Sequence, residues 1–181
     1  MADWYIIPKD DLTLTDRQRF RMEAKAAGVE RAMDKLAVRA SEELDVRGFE
    51  NALDAGAALD QWRTAALAVL GTRYSCFQAV AAPTLANNRV AVFYKVAVET
   101  IPFPVSLLTF RRQGAVGNIV AEFDLEQLVC ADQQEGYFTK PVVFDPTDIF
   151  AVQVMARIAT GVFARVILGA WIIERKGNLI A

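Results

Sequence analysis

The apolar residues of this chain change period at about Arg89, and no single kind of secondary structure satisfies both halves. From residue 15 to about 70 they recur three and four apart, as on one stripe of a helix. From residue 89 to the last they alternate, as on one face of a strand. The expected fold class is α+β: an extended N-terminal arm and an αα-hairpin, followed by an antiparallel β-sandwich or jelly-roll-like domain.

Residues 1–14 read as the arm. It carries Trp4, Tyr5, Ile6 and Ile7, which cannot bury themselves locally and must pack on their own domain or on a neighbour. Thr15 with Gln18 suggests a capping box. Met22, Ala26, Val29, Met33, Leu36 and Ala40 follow at spacings of four and three, a seam that calls for a second helix. Gly48 suits a C-cap, and the second helix is predicted over 49–70, closed by Gly71, so the helical region is 15–71. A connector over 72–88 carries Pro83 and the Asn87-Asn88 pair. In the β domain, 89–181, strands are predicted over 89–99, 105–111, 119–130, 137–144, 149–159 and 163–175, with turn residues between them.

Several function classes lack their chemistry. The chain has no histidine, no GxSxG and no Walker loop, and Gly114-Ala-Val-Gly117 lacks the further glycine of a dinucleotide site. No catalytic residue, no metal site and no cofactor is therefore expected. Net charge is −2, and the pairs Arg111-Arg112 and Arg175-Lys176 are too sparse to neutralise a phosphate backbone, so nucleic acid is not an expected partner. Residues 149–173 are apolar enough to raise a membrane span, but Gln153, Arg157 and Arg165 interrupt them and the pattern alternates, so strands are expected and no membrane partner. The first residues lack the basic region and long apolar core of a signal peptide, and Cys76 and Cys130 have no zinc or redox spacing. Both are expected as reduced, buried thiols in a cytoplasm-like space.

Two carboxylate groups invite a mechanism. Glu122, Asp124 and Glu126 share one strand face, where they could serve as acid and base or hold calcium, although a solvated face opposite Phe123 and Leu125 has the same pattern. Asp145-Pro-Thr-Asp148 reads as a turn, with fewer oxygen donors than a calcium loop requires.

Residues 141–150 (Pro-Val-Val-Phe-Asp-Pro-Thr-Asp-Ile-Phe) and 168–177 (Leu-Gly-Ala-Trp-Ile-Ile-Glu-Arg-Lys-Gly) resemble the final strands of small virion proteins of tailed bacteriophages, capsid cement (decoration) proteins above all. The resemblance covers about the last 90 residues and rests on strand pattern and turn placement. It implies a β-sandwich, often trimeric, that clamps joints between major capsid subunits. On that expectation the chain is a structural protein of the capsid, made in the host cytoplasm. Its partners would be the major capsid protein or another virion protein, and further copies of itself. The residues expected to make the contact are Trp4, Tyr5, Ile6 and Ile7 on the arm and Met22, Val29 and Met33 on the seam. Removing the first eight residues is then expected to leave the β domain folded and abolish shell binding. The alternatives are a soluble ligand- or carbohydrate-binding β-sandwich, a tail or connector component, and a hydrolase using Glu122 and Asp124.

Overall fold

Alternation in the second half sends every other side chain between two sheets. The computed structural model describes residues 4–57, 61–77, 80–100 and 102–177. Their strands are β1 (Ile6–Pro8), β2 (Leu44–Gly48), β3 (Arg73–Ser75), β4 (Arg89–Val98), β5 (Val105–Arg112), β6 (Asn118–Asp124), β7 (Glu135–Phe144), β8 (Phe150–Ala156) and β9 (Val166–Arg175). Three helices accompany them, α1 (Leu14–Lys35), α2 (Asn51–Ala55) and α3 (Glu126–Cys130). One sheet has the order β1-β7-β4-β9-β2 and the other β3-β8-β5-β6, with every pairing antiparallel. With β1 set aside, the orders β7-β4-β9-β2 and β3-β8-β5-β6 are those of an eight-stranded jelly roll. The fold is thus an α+β β-sandwich.

The core between the sheets is aromatic. Phe77, Phe93, Phe110, Phe123, Phe138, Phe144 and Phe150 are fully buried and meet in stacked, tilted and edge-on pairs, Phe123 on Phe138 at 4.2 Å being the closest. Each such ring contributes about 1.5–3 kcal/mol on burial. On β4 the pairing register shifts between Phe93 and Lys95, and this bulge exchanges the faces of the strand. Val90 and Val92 lie on the outer face with Tyr94, whereas Val96 and Val98 point into the inter-sheet core, so simple alternation from Val90 to Val98 does not hold.

Helix α1 covers part of the outer face of the five-stranded sheet. Its capping box lies two residues upstream of the expected place: the Thr13 hydroxyl accepts from Asp16 N–H at 3.1 Å, and Thr13 N–H donates to the Asp16 carboxylate at 3.2 Å. The buried face is Ala24, Gly28 and Ala32, packed in a second core with Val38, Leu44, Val90, Val92 and Ile173. A Cβ on Gly28 would stand 2.6 Å from both Ile173 and Val92, so the helix axis comes as near to the sheet as it does only because that side chain is a hydrogen. Small residues, rather than the Met22 seam, make the contact. Val29 and Met33 pack at its margin, and Met22 is exposed.

The expected second helix does not form. Among the described residues of 49–70 only α2 is helical, and it ends at Gly56, which adopts a left-handed φ of 62°. Gly48 ends a strand opposite Trp171 instead of capping a helix. From residue 61 on the chain makes isolated bridges instead: Trp62 to Phe77 and Ala66 to Phe163. The reason is tertiary. Phe49 and Trp62 lie 5.5 Å apart against the phenylalanine core, whereas one continuous helix would separate two residues thirteen apart by about 20 Å along its axis. The predicted strand 119–130 is also shorter, because the Asp124 carboxylate accepts Glu126 N–H at 2.8 Å and turns the chain into α3. Residues 149–173 form β8, a loop and the start of β9, and no helix among the described residues is long and apolar enough to cross a membrane.

The described part of the arm, 4–14, folds back on its own domain, and residues 1–3 lie outside the described residues. β1 pairs with β7, Ile6 opposite Phe138; Trp4 meets Phe123 edge-on at 5.7 Å, and a Cβ on Gly136 would run into Ile6 and Leu128. Removing it would open the core as well as delete a contact surface, which corrects the expectation that truncation spares the fold. Three outcomes follow for urea unfolding of the purified protein. Gly28→Val should lower stability by about 1–3 kcal/mol through overpacking. Ile6→Ala should cost about 2–5 kcal/mol. Met22→Ala should stay within about 0.5 kcal/mol of wild type.

Candidate interaction surface

The residues expected to bind a partner are dispersed. Ile6 is buried, Trp4 and Ile7 are half-buried, and Tyr5 is exposed beside β7, where its carbonyl accepts Thr139 N–H at 3.0 Å. Val29 and Met33 face the second core. Met22 lies on the outer side of α1 with Gln18, Arg21 and Lys25, beside Trp171, over whose ring the Arg21 guanidinium sits at 4.7 Å. Trp171 itself is on the outer face of the sheet, stacked on Tyr94 at 6.0 Å, rather than between the sheets.

The carboxylates are engaged in holding the fold. Glu122 accepts from Arg73 and from the Thr109 hydroxyl, both at 2.8 Å, across the outer face of the four-stranded sheet. Asp124 starts α3, and Glu126 lies 3.8 Å from Arg157. At the turn between β7 and β8, Asp145 N–H donates to the Asp148 carboxylate at 2.8 Å, and Arg112 pairs with Asp148 at 2.8 Å. Arg31 reaches down from α1 and grips both Asp145 oxygens, its Nε at 2.6 Å. Arg31 holds the Asp145 carboxyl below its ordinary pKa, against the opposing effect of partial burial. An open cleft of about 570 Å³ lies over this pair. Among the described residues no group of three or more His, Cys, Asp or Glu side chains is arranged to hold a metal ion. Both cysteines are free; Cys76 is buried, which pushes its thiol pKa up, and Cys130 is exposed, contrary to the expectation that both are buried.

An apolar surface lies where the chain passes from β2 to β3 and from β8 to β9. Two six-residue runs meet there, 65–70 (Ala-Ala-Leu-Ala-Val-Leu) and 158–163 (Ile-Ala-Thr-Gly-Val-Phe), and neither carries a charge. Main-chain bonds hold them side by side: Leu67 N–H to Val162 O at 2.9 Å, Gly161 N–H to Leu67 O at 3.0 Å, and Thr64 N–H to Ala164 O at 2.9 Å. The Tyr74 hydroxyl accepts from Ala68 and Val69 N–H at 3.1 and 3.0 Å and steadies the tip. Leu67 is fully buried beneath, while Val69 (58%), Leu70 (62%), Ile158 (37%), Val162 (54%) and Phe163 (44%) stand in solvent. Arg63 stacks on the Phe163 ring at 5.1 Å. The helical pattern assigned to 65–70 concealed this surface; the signal that could have found it is a charge-free run in each of two loops.

The first loop is anchored by a closed ring of ions at its base. Asp54, fully buried on α2, accepts from Arg47 at 2.7 and 2.8 Å, from Arg89 at 3.1 Å and from Glu50 N–H at 2.9 Å. Glu174 closes the ring by accepting from Arg47 at 3.1 Å and Arg89 at 2.8 Å. Two cations and two anions taken from water together are tolerable; removal of one partner is not.

No protein-family model matches the chain, and no curated protein sequence matches it.

Two outcomes test this geometry. Asp54→Ala should destabilise by about 3–5 kcal/mol in denaturant unfolding, since Arg47 and Arg89 lose their shared anion. Asp145 has a lowered folded-state pKa, so its contribution is present above the unfolded carboxylate value and is lost as pH falls through the folded one. Wild type should therefore exceed Asp145→Asn in stability at pH 6, and the gap should close under acid titration; a gap that is constant with pH would contradict the assignment.

Proposed function

We propose that this chain is a non-enzymatic structural protein of a viral particle, a capsid cement (decoration) protein that binds at joints between major capsid subunits. The observation that carries the reading is an apolar loop platform, flanked by Arg63, on a jelly roll, an architecture that recurs in viral capsid proteins. A shell protein needs a rigid body and a surface that gains by leaving water. The phenylalanine core and the covering helix supply the first, and the two loops the second. The resemblance of 141–150 and 168–177 to the last strands of phage cement proteins points the same way. The engagement of Glu122, Asp124 and Glu126 in ion pairs and a helix start supports a structural role for these carboxylates over a hydrolytic one.

Lysate of cells producing the virus, fractionated on a density gradient, tests the reading. The protein should co-sediment with particles in a fixed ratio to the major shell protein. Its recovery in the free-protein fractions alone would overturn the proposal.

A further inference from the structure

We propose that the groove between α1 and the free edge of β2 binds an extended acidic segment of a partner protein, which adds to β2 as a further strand and sets its carboxylates on Arg21 and Lys25. The inference stands apart from the shell-protein reading and concerns a different face of the molecule from the loop platform. Three observations select this occupant.

The first is an open edge. Among the described residues β2 is the last strand of its sheet. Lys176 N–H donates to Glu43 O at 2.7 Å and Phe49 N–H to Ala170 O at 3.2 Å, so the odd-numbered residues bond to β9. The alternation of an antiparallel pair then turns the N–H and C=O of Val46 and Gly48 outward. Among the described residues only the Gly48 carbonyl is engaged there, by Arg47 Nη1 at 3.1 Å. Such an edge is a template for strand addition. The second is room. A groove of about 390 Å³ has Trp171 as its floor and Gln18, Arg21, Met22 and Lys25 of α1 as its wall. Gly48 lies opposite Trp171 in the sheet, and a Cβ there would meet nothing within 4 Å, so an added strand finds space beside the ring for a side chain. The third is charge. On the β7 side of α1 Arg31 has Asp145, and on its solvent side Arg19 has Glu23 at 3.7 Å. Arg21 and Lys25 have no ion pair among the described residues, and no carboxylate is among the described residues that line the groove. Four residues of helix advance about 6 Å and two residues of strand about 6.8 Å, so acidic side chains at alternate positions of one strand can meet both cations. A nucleic-acid base finds no free face on Trp171, because the Arg21 guanidinium lies over the ring at 4.7 Å and Tyr94 is stacked on it.

Fluorescence anisotropy with a synthetic probe reads the outcome. The probe is fluorescein-labelled Thr-Leu-Thr-Glu-Thr-Glu-Thr-Leu-Thr, whose leucines and glutamates share one face and read the same in either direction. The full chain should bind it saturably. Arg21→Ala combined with Lys25→Ala should weaken binding at least tenfold with an unchanged circular dichroism spectrum, because neither residue is buried. Two changes to the probe serve if that variant does not fold, and each should also cost at least tenfold. One puts glutamine for both glutamates; the other N-methylates the backbone amides, which blocks the main-chain bonds to β2 and keeps the side chains. No saturable binding, or equal binding of either altered probe, would overturn the inference. An oligouridylate that binds where the probe does not would overturn it in favour of single-stranded nucleic acid. The two proposals fail separately: a chain that co-sediments with particles without binding the probe defeats the groove only, and one that binds the probe but is absent from particles defeats the shell reading only.

Discussion

The contact between the two sheets sets every other feature of the molecule. Seven phenylalanines fill the gap, and the rings touch in a continuous series from Phe77 through Phe150, Phe93 and Phe110 to Phe123 and Phe138. Once they are buried, both sheets are committed face to face, and each remaining apolar group needs a seat elsewhere. Trp4 and Ile6 close one open edge of the sandwich. Phe49 and Trp62 both drop into the core near Phe77, a placement that a single helix over 49–70 could not give them. The apolar residues that follow are carried past the end of the core and left in water. The platform is thus a consequence of how the core is filled as well as a surface available for assembly.

Much of the sandwich was legible because a half-buried strand writes its geometry into alternation. The strands 105–111 and 137–144 match β5 and β7 to within a few residues, and Asp145-Pro-Thr-Asp148 is a turn as expected, though with Thr147 at a left-handed φ of 68° that a β-branched residue disfavours. The failures share one physical origin, that local pattern is silent about tertiary context. Met22, Val29 and Met33 look like a helix seam because they are large. The face that touches the sheet is instead Ala24, Gly28 and Ala32, because close approach rewards the absence of side chain. The bulge at Phe93/Lys95 exchanges the faces of β4 and has no signature in hydrophobicity at all.

The candidate surface was the least legible part. Ala65, Ala66, Val69 and Leu70 have the composition of a buried helix stripe, and a charge-free run marks an apolar surface without saying whether it finds a partner within the chain. Only the bonds from Leu67 and Thr64 to 162–164 settle that they lie in a loop pair. The acidic strand shows the opposite case. Its carboxylates suggested chemistry by type and spacing, and the fold assigns them Arg73, Thr109, Arg157 and the first turn of α3.

On the proposed reading the apolar loop surface associates by excluding water, and the amides at that surface should report it. The most direct measurement is hydrogen exchange of the dilute protein compared with the assembled form, read by peptide. Added protection should be confined to 65–70 and 158–163, with α1 and the outer faces of both sheets unchanged. Protection that instead falls on α1 around Met22, or on β6, with the two loops still exchanging at the dilute rate, would contradict an assembly built on this end of the jelly roll.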